Sequence, residues 1–212
     1  SILKSDDGMI WEDYSSDEID DIHLRCIALL PDDVLLIGTI YGGLFRSADY
    51  GTSWLKLTDG IYGAKVWDVI HDKTSSRTYV SMSNSGIFSS DEVGLAWMDK
   101  NGGLVATDVR SLIVNDGNIL FAGVYDVGVF RSYDQGQSWE RALTGMEGAT
   151  VLSMASKPGN LYAGTLTRGI LVSTNNGNTW SSTGDIGLWV VDALEIGENE
   201  EIFAGNVQGK IF

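Results

Sequence analysis

GLFRSADYGTSW at residues 43–54 and GVFRSYDQGQSW at residues 128–139 are two copies of one pattern. The tryptophan that ends it recurs at positions 11, 54, 97, 139 and 180, with intervals of 43, 43, 42 and 41 residues. A glycine followed by two apolar residues recurs at positions 43, 86, 128 and 169. Self-similarity at a fixed period is the signature of a repeat architecture. The 212 residues therefore predict five repeats of about 42 residues.

Each repeat contains four short runs that are typical of β-strands, separated by clusters of Gly, Asn, Asp and Ser. In the second copy the predicted strands are 66–71, 78–82, 86–89 and 97–99, and in the third they are 109–114, 119–124, 128–132 and 138–141. No window has a helical period. Four strands per repeat of this length indicate a propeller blade. We predict an all-β chain, a β-propeller of four-stranded antiparallel blades, as a single domain over residues 1–212.

The two ends of the sequence both align with a third strand. Residues 1–5 align with 43–47, and residues 209–212 align with 42–45. This favours five blades in which the N- and C-terminal segments share one blade, an arrangement that leaves no exposed sheet edge. Such a closed ring is expected to be a monomer. Two alternatives are a section of a ring with six or seven blades and an engineered chain.

The sharpest local motif is Ser/Thr-x-Asp-x-Gly-x-Thr/Ser-Trp. It is intact around Asp49 and Asp134, carries Asn175 in the last copy, and is one residue shorter around Asp7 and one longer around Asp91. An Asp or Asn in a tight turn accepts backbone N–H groups, glycine supplies a positive φ, and tryptophan fills space between blades. We therefore expect a structural role for these residues: Asp7, Asp49, Asp91, Asp134, Asn175, Trp11, Trp54, Trp97, Trp139 and Trp180.

This motif resembles the Asp-box, or BNR, repeat of sialidases, xyloglucanases, sortilin-type receptors and photosystem assembly factors. The resemblance covers essentially the whole chain. It implies that the motif lies in the turn between the third and fourth strands of each blade, away from the active face. It also implies an extracellular or periplasmic location, although no basic-then-apolar leader is present in this sequence.

Charge and composition argue against several classes of partner. The net charge of −15 repels phosphate backbones and anionic membranes, so we expect no nucleic-acid binding, and no apolar run is long enough to insert into a membrane. The single Cys26 lies in an apolar run and reads as a small buried hydrophobe. His23 and His71 have no Cys or carboxylate at ligand spacing, so neither a metal nor a cofactor is predicted.

A ligand of a propeller usually meets the loops that enter the first strand and join the second strand to the third. At the entrance of the first strand, the aligned positions of the five repeats hold His23, Lys65, Asp108, Thr150 and Trp189. Two residues later, the aligned positions hold Arg25, Trp67, Arg110, Leu152 and Val191. The variation indicates either a differentiated surface or unconstrained loops. The candidate ligand-binding residues are Tyr41, Trp67, Asp108, Tyr125, Asp126, Arg168, Trp189, Arg25 and Arg110.

The aromatic candidates could stack on sugars or form the centre of a protein interface. We therefore predict a non-catalytic binding or scaffold propeller that recognises a protein or carbohydrate partner. One alternative is a glycoside hydrolase, which needs two carboxylates about 5 to 9.5 Å apart. By elimination these would come from Asp68, Asp108, Asp126 and Asp192, with Arg25, Arg110 and Arg168 as the best arginine cluster for a sialidase. An engineered or truncated propeller without a physiological ligand is a third alternative.

Overall fold

The computed structural model describes residues 2–14, 18–19, 23–91, 94–142, 144–184 and 190–206. Within them the chain is all-β, apart from a short 3-10 turn at Pro31–Asp33. The strands are β1 Leu3–Lys4, β2 Glu12–Asp13, β3 Leu24–Leu29, β4 Leu35–Thr39, β5 Leu44–Ser47, β6 Leu55–Lys56, β7 Val66–Asp72, β8 Arg77–Met82, β9 Gly86–Asp91, β10 Met98–Asp99, β11 Val109–Val114, β12 Leu120–Val124, β13 Gly128–Ser132, β14 Glu140–Arg141, β15 Val151–Lys157, β16 Asn160–Thr165, β17 Ile170–Ser173, β18 Ser181–Ser182, β19 Ala193–Ile196 and β20 Ile202–Gly205. No helix in this part of the chain is long and apolar enough to span a membrane.

The sheets follow the repeats. Strands β3–β6, β7–β10, β11–β14 and β15–β18 form four-stranded sheets in which chain neighbours are sheet neighbours, while β1–β2 and β19–β20 form two-stranded sheets. The pairings with a defined register are antiparallel, as the tight connections between strands require. The predicted four-stranded blades are therefore confirmed. The predicted sharing of a blade by the two chain ends involves residues 207–212, which lie outside the described residues.

The strands predicted for the second and third copies lie where the sequence places them, but their fourth strands are shorter. The prediction began these strands at Trp97 and Ser138, whereas β10 begins at Met98 and β14 at Glu140. The backbone N–H of Trp139 explains the difference, because it donates to the Gly102 carbonyl oxygen at 2.9 Å and not to the third strand. The tryptophan therefore belongs to the turn.

The chain divides into two compact units. The first consists of Ser1–Val80 and Phe88–Asp99, and the second of Ser81–Ile87 and Lys100–Phe212. A core cluster of the first unit contains Ile2, Ile19, Ile37, Phe45 and Trp54. A larger cluster of the second unit contains Ile119, Phe121, Val129, Ala142, Met146, Ala149, Val151, Met154, Leu161, Ala163, Leu171 and Trp180. A single domain over residues 1–212 stays a prediction.

Glycines in the second strands set the spacing between neighbouring sheets. A Cβ on Gly38 would lie 2.5 Å from a side-chain carbon of Val66, and one on Gly123 would lie 2.5 Å from a side-chain carbon of Val151. In both cases the first strand of the next sheet packs directly against the glycine backbone. This close approach fixes where the entrance of each first strand lies, and so positions the residues predicted to bind a ligand.

Candidate functional site

In the two intact motifs, the aspartate carboxylate accepts hydrogen bonds from residues of its own turn. Asp134 accepts hydrogen bonds from the Ser132 hydroxyl at 2.7 Å, the Ser138 N–H at 2.9 Å and the Ser138 hydroxyl at 2.5 Å. The Ser138 hydroxyl is the first cause of a pKa of about 2 for Asp134, because each of these bonds favours the charged carboxylate. Asp49 makes equivalent bonds with Ser47 and Ser53, which also lower its pKa to about 2. This geometry supports a structural role.

The imperfect copies of the motif differ in their contacts. The Asn175 Oδ1 atom accepts the Thr179 N–H at 3.0 Å, and its Nδ2 atom donates to the Thr179 hydroxyl at 2.9 Å. Asp7 accepts the N–H groups of residues 9 and 10, and these bonds lower the pKa of Asp7. Asp91 forms a 2.9 Å ion pair with Arg77.

Four of the five motif tryptophans are buried. Trp54, Trp97, Trp139 and Trp180 are 4–6% exposed, whereas Trp11 is 58% exposed. The Trp139 indole N–H donates to the Lys100 carbonyl oxygen at 2.7 Å, and that of Trp180 to the Gly177 carbonyl oxygen at 3.1 Å. The buried four fit the expected plug between repeats. For Trp11 that role stays a prediction.

In the first unit, cationic and aromatic side chains gather at the loop ends of the strands. The Lys65 ammonium lies 3.8 Å from the ring centroid of half-buried Trp67, and the Arg25 guanidinium lies 5.3 Å from the same ring. Tyr41, which is 70% exposed, meets the His23 ring edge to face at 5.4 Å. We call His23, Arg25, Tyr41, Lys65 and Trp67 the cationic–aromatic cluster.

Backbone hydrogen bonds connect the loops that carry this cluster. The Ile40 N–H donates to the His23 carbonyl oxygen at 2.8 Å, and the Gly43 N–H donates to the Ala64 carbonyl oxygen at 2.8 Å. The loop between β4 and β5 is thereby tied to the entrances of both β3 and β7. Arg25 also borders an open groove of about 260 Å³, lined otherwise by Ile2, Leu3, Leu24, Cys26, Ile27 and Ile37.

A β-bulge places two of the candidate arginines. In β3, Leu24 pairs with residue 39 and Cys26 with residue 38, so Arg25 is the extra residue. The same register shift makes Arg110 the extra residue of β11 and Leu152 that of β15. Bulges bend the strand and redirect a side chain, and they are common beside functional sites. Arg25 and Arg110 therefore occupy the same position of two different sheets.

In the second unit, the candidate residues bind one another. The Arg110 guanidinium donates to both oxygens of Asp108, at 3.2 and 2.8 Å, and lies 4.5 Å from the ring centroid of Tyr125. The Thr150 hydroxyl donates to the Asp126 carboxylate at 2.6 Å, and the Asp126 N–H donates back to that hydroxyl at 3.1 Å. Both carboxylates therefore have partners inside the protein.

The structure corrects one alignment on which the hydrolase alternative depended. Asp68 and Asp192 are not equivalent, because Ala193 pairs with Gly205 just as Ser153 pairs with Gly164. This register makes Asp192 equivalent to Leu152. It also aligns Val191 with Val151 and gives Val190, not Trp189, the entrance position. Val191 follows the preceding motif tryptophan by 11 residues, whereas Val151 follows its own by 12. This difference shifted the sequence alignment by one residue.

Asp68 is a half-buried residue of β7. Its carboxylate accepts the Val69 N–H at 2.9 Å. Burial, followed by the negative charge of Asp68, raises the pKa of the Cys26 thiol to about 12. Asp68 in β7 therefore lies near Cys26 in β3. Cys26 is only half-buried and borders the open groove beside Arg25, so the interpretation of Cys26 as a buried residue holds only in part.

The remaining candidates are dispersed. Arg168 is exposed, and its backbone N–H donates to the Thr165 hydroxyl at 2.9 Å. Trp189 lies outside the described residues. His71 contacts the Thr78 hydroxyl at 3.1 Å, within its own hairpin. Among the residues that the structure describes, no three His, Cys, Asp or Glu side chains come together in a way that could hold a metal ion.

Comparison with known proteins places the chain among propellers. No protein-family model matches it. A xyloglucanase of Paenibacillus sp is 33% identical over 116 aligned residues, and the match covers 51% of this chain and 9% of the xyloglucanase. The match thus covers less than a tenth of that relative's length.

Solved structures match over most of the chain. The extracellular domain of BT4673 from B. thetaiotaomicron has a TM-score of 0.75 at 16% identity, over 89% of this chain and 26% of that one. An ancestral GH74 enzyme has a TM-score of 0.71 at 17% identity, over 86% and 27%. YCF48 bound to D1 peptide has a TM-score of 0.69 at 16% identity, over 93% and 65%. These are β-propeller proteins, which confirms the fold class, and at such identities they show the fold alone.

Proposed function

We propose that the chain is a non-catalytic binding module, a propeller of the Asp-box type, that recognises a carbohydrate or protein partner through the loops that enter its first strands and join its second strands to the third. The observation that carries this proposal is the pairing of aromatic rings with cations at and beside those loops. Trp67 is held beside Lys65 and Arg25, and Tyr125 beside Arg110. Rigid aromatic side chains with a few placed polar groups are typical of binding sites.

The positions of the carboxylates argue against catalysis. A glycosidase needs one carboxyl group to protonate the leaving oxygen and another to face the sugar. Both oxygens of Asp108 face Arg110, and Asp126 accepts the Thr150 hydroxyl. Both groups therefore already have hydrogen-bond partners within the protein. With Asp68 and Asp192 no longer equivalent, the hydrolase alternative also loses the pair that the alignment had provided.

A carbohydrate is the partner that these observations favour. The apolar face of a sugar ring can pack against an exposed aromatic ring such as that of Tyr41, while hydroxyl groups reach nearby donors. The identity with part of a xyloglucanase supports the same class of ligand, and it also keeps hydrolysis as the second candidate function. The resemblance to YCF48 bound to D1 peptide supports a protein partner as the alternative.

Binding and hydrolysis can be measured on the same samples. The purified chain would be titrated with xyloglucan and a panel of other polysaccharides, and reducing ends would be counted after incubation. We expect binding without turnover, and a loss of affinity of about tenfold in Trp67→Ala, equivalent to removing one anchoring side chain. Tyr133→Ala is the matched control, since Tyr133 is 60% exposed but lies on a motif turn.

Two results would overturn the proposal. Release of reducing ends that disappears in Asp108→Asn would establish a hydrolase. Failure of every polysaccharide to bind the folded chain would remove the carbohydrate partner and leave a protein partner to be sought.

A further inference from the structure

Two arginines in equivalent positions have different surroundings. Arg110, at the bulge of β11, receives the carboxylate of Asp108 from two residues earlier in the chain. Arg25, at the bulge of β3, has His23 at that position. Arg25 is exposed and forms no ion pair with any residue that the structure describes. The second unit thus has a carboxylate two residues before its bulge arginine, and the first unit has none at that position.

A second cation lies beside Arg25. Its guanidinium and the Lys65 ammonium are 5.3 and 3.8 Å from the same Trp67 ring centroid, so the two cationic groups are at most 9.1 Å apart. The midpoint between them is therefore closer to each cation than the Debye length, which is about 8 Å at physiological salt. An anion between them would be attracted by both. This gathering of positive charge occurs in a chain whose net charge is −15.

We propose that the cationic–aromatic cluster is a carboxylate subsite that binds an acidic sugar, a uronate residue of a glycan. The inference rests on the proposed carbohydrate-binding function and names its ligand class. Arg25 would hold the carboxylate with the two-donor geometry that Arg110 shows toward Asp108, and Lys65 would add a second positive charge. The exposed ring of Tyr41 would pack against the neighbouring sugar.

A glycan fits this cluster better than an acidic peptide does. The exposed ring of Tyr41 belongs to the same cluster as the cations, and pyranose rings present flat apolar faces that can pack on such a ring. The carboxylate of an acidic peptide would pair with the cations but would not pack against an aromatic ring. The acidic peptide is therefore the other outcome to be tested.

The test is calorimetric titration at low and physiological salt with tri-galacturonic acid, the neutral trisaccharide cellotriose and tri-glutamate. We expect tri-galacturonic acid to bind at least about tenfold more tightly than cellotriose, with an affinity that falls as salt screens the charges. Arg25→Gln should lose about tenfold in affinity for the acidic sugar. Lys73→Gln, which removes the same charge from an exposed turn position, should leave the affinity unchanged.

A variant that adds a carboxylate beside Arg25 tests the comparison between Arg25 and Arg110. His23→Asp places an acidic residue two positions before Arg25, as Asp108 stands before Arg110, and should abolish uronate binding while the free energy of unfolding stays unchanged. Equal affinity for cellotriose and tri-galacturonic acid would overturn the subsite but leave the carbohydrate function intact. Arg25-dependent binding of tri-glutamate without any binding of the uronate would overturn the glycan assignment. If no saccharide of any kind binds, the proposed carbohydrate function itself fails.

Discussion

The Asp134 turn offers a quantitative test of the structural role of the motif. Replacing Asp134 by alanine removes three hydrogen bonds, from the Ser132 hydroxyl and from the N–H and hydroxyl of Ser138. Each such bond contributes about 0.5 to 1.5 kcal/mol net, and water can solvate the freed groups of a surface turn. We therefore expect Asp134→Ala to lower the free energy of unfolding by about 2 kcal/mol, as loss of a helix cap does.

The asparagine variant should be much milder. Asn175 already shows the geometry, since its Oδ1 atom accepts a backbone N–H while its Nδ2 atom donates to the Thr179 hydroxyl. Asp134→Asn should therefore cost only about 0.5 kcal/mol. Asp116→Asn, at an exposed turn position, serves as the control and should change stability by less than about 0.5 kcal/mol.

The pH dependence provides a second, independent readout. The pKa of Asp134 is about 2 in the folded chain against an ordinary value of 3.8, so the folded state favours the charged form. Its stabilising contribution is complete above about pH 4 and is lost as the pH falls from 4 toward 2. The difference in unfolding free energy between the wild type and Asp134→Asn should therefore shrink in this window.

Urea denaturation followed by tryptophan fluorescence, at pH 7 and near pH 2.5, measures both effects. The reasoning would be refuted if Asp134→Asn were as damaging as Asp134→Ala at pH 7. It would equally be refuted if the wild-type advantage over the asparagine variant did not depend on pH.

Three further predictions concern the framework. The Arg131 side chain is 13% exposed and donates to Glu140 at 2.7 Å and to the Asn178 side chain at 2.7 Å. Arg131→Gln should therefore lower the free energy of unfolding, measured by urea denaturation, by about 1 to 3 kcal/mol. An unchanged stability would contradict the contact between neighbouring sheets. Gly123→Ala should cost about 1 to 3 kcal/mol by overpacking, and unaltered stability would show that the neighbouring sheet is not held so closely. Because the pKa of Cys26 is raised to about 12, its reaction with a thiol reagent at pH 8 should be at least about tenfold faster in denaturant, and equal rates would place the thiol at the surface.

The repeat and its strands were predictable because their signals are local and recur five times. Apolar runs between turn residues predict β7 and β11 to within a residue or two. The fourth strands were predicted too long, since Trp139 looks like a strand residue but donates its backbone N–H to Gly102, a partner that no local pattern reveals. The glycines at 38 and 123 are visible in the sequence, but the close packing that requires them becomes apparent only in three dimensions.

The candidate site was predictable in part. Aligning the loops placed Arg25 and Trp67 at equivalent positions of adjacent repeats, and they are brought together. Lys65 was aligned as well but was not selected, although it lies closer to the Trp67 ring. The binding of Arg110 by Asp108 was missed, yet an acidic residue two positions before a basic one was a usable signal, because opposite charges so close in sequence can form an ion pair.

The most direct test of the division between framework and binding residues is an indole N–H spectrum of the ¹⁵N-labelled chain, titrated with tri-galacturonic acid and assigned by single Trp→Phe variants. The seven tryptophans give one reporter in the cationic–aromatic cluster and several in the buried motif positions. We expect the Trp67 signal to move on binding and those of Trp54, Trp97, Trp139 and Trp180 to stay in place. Movement of the four motif signals with no change at Trp67 would contradict both the structural role of the motif and the position of the binding site.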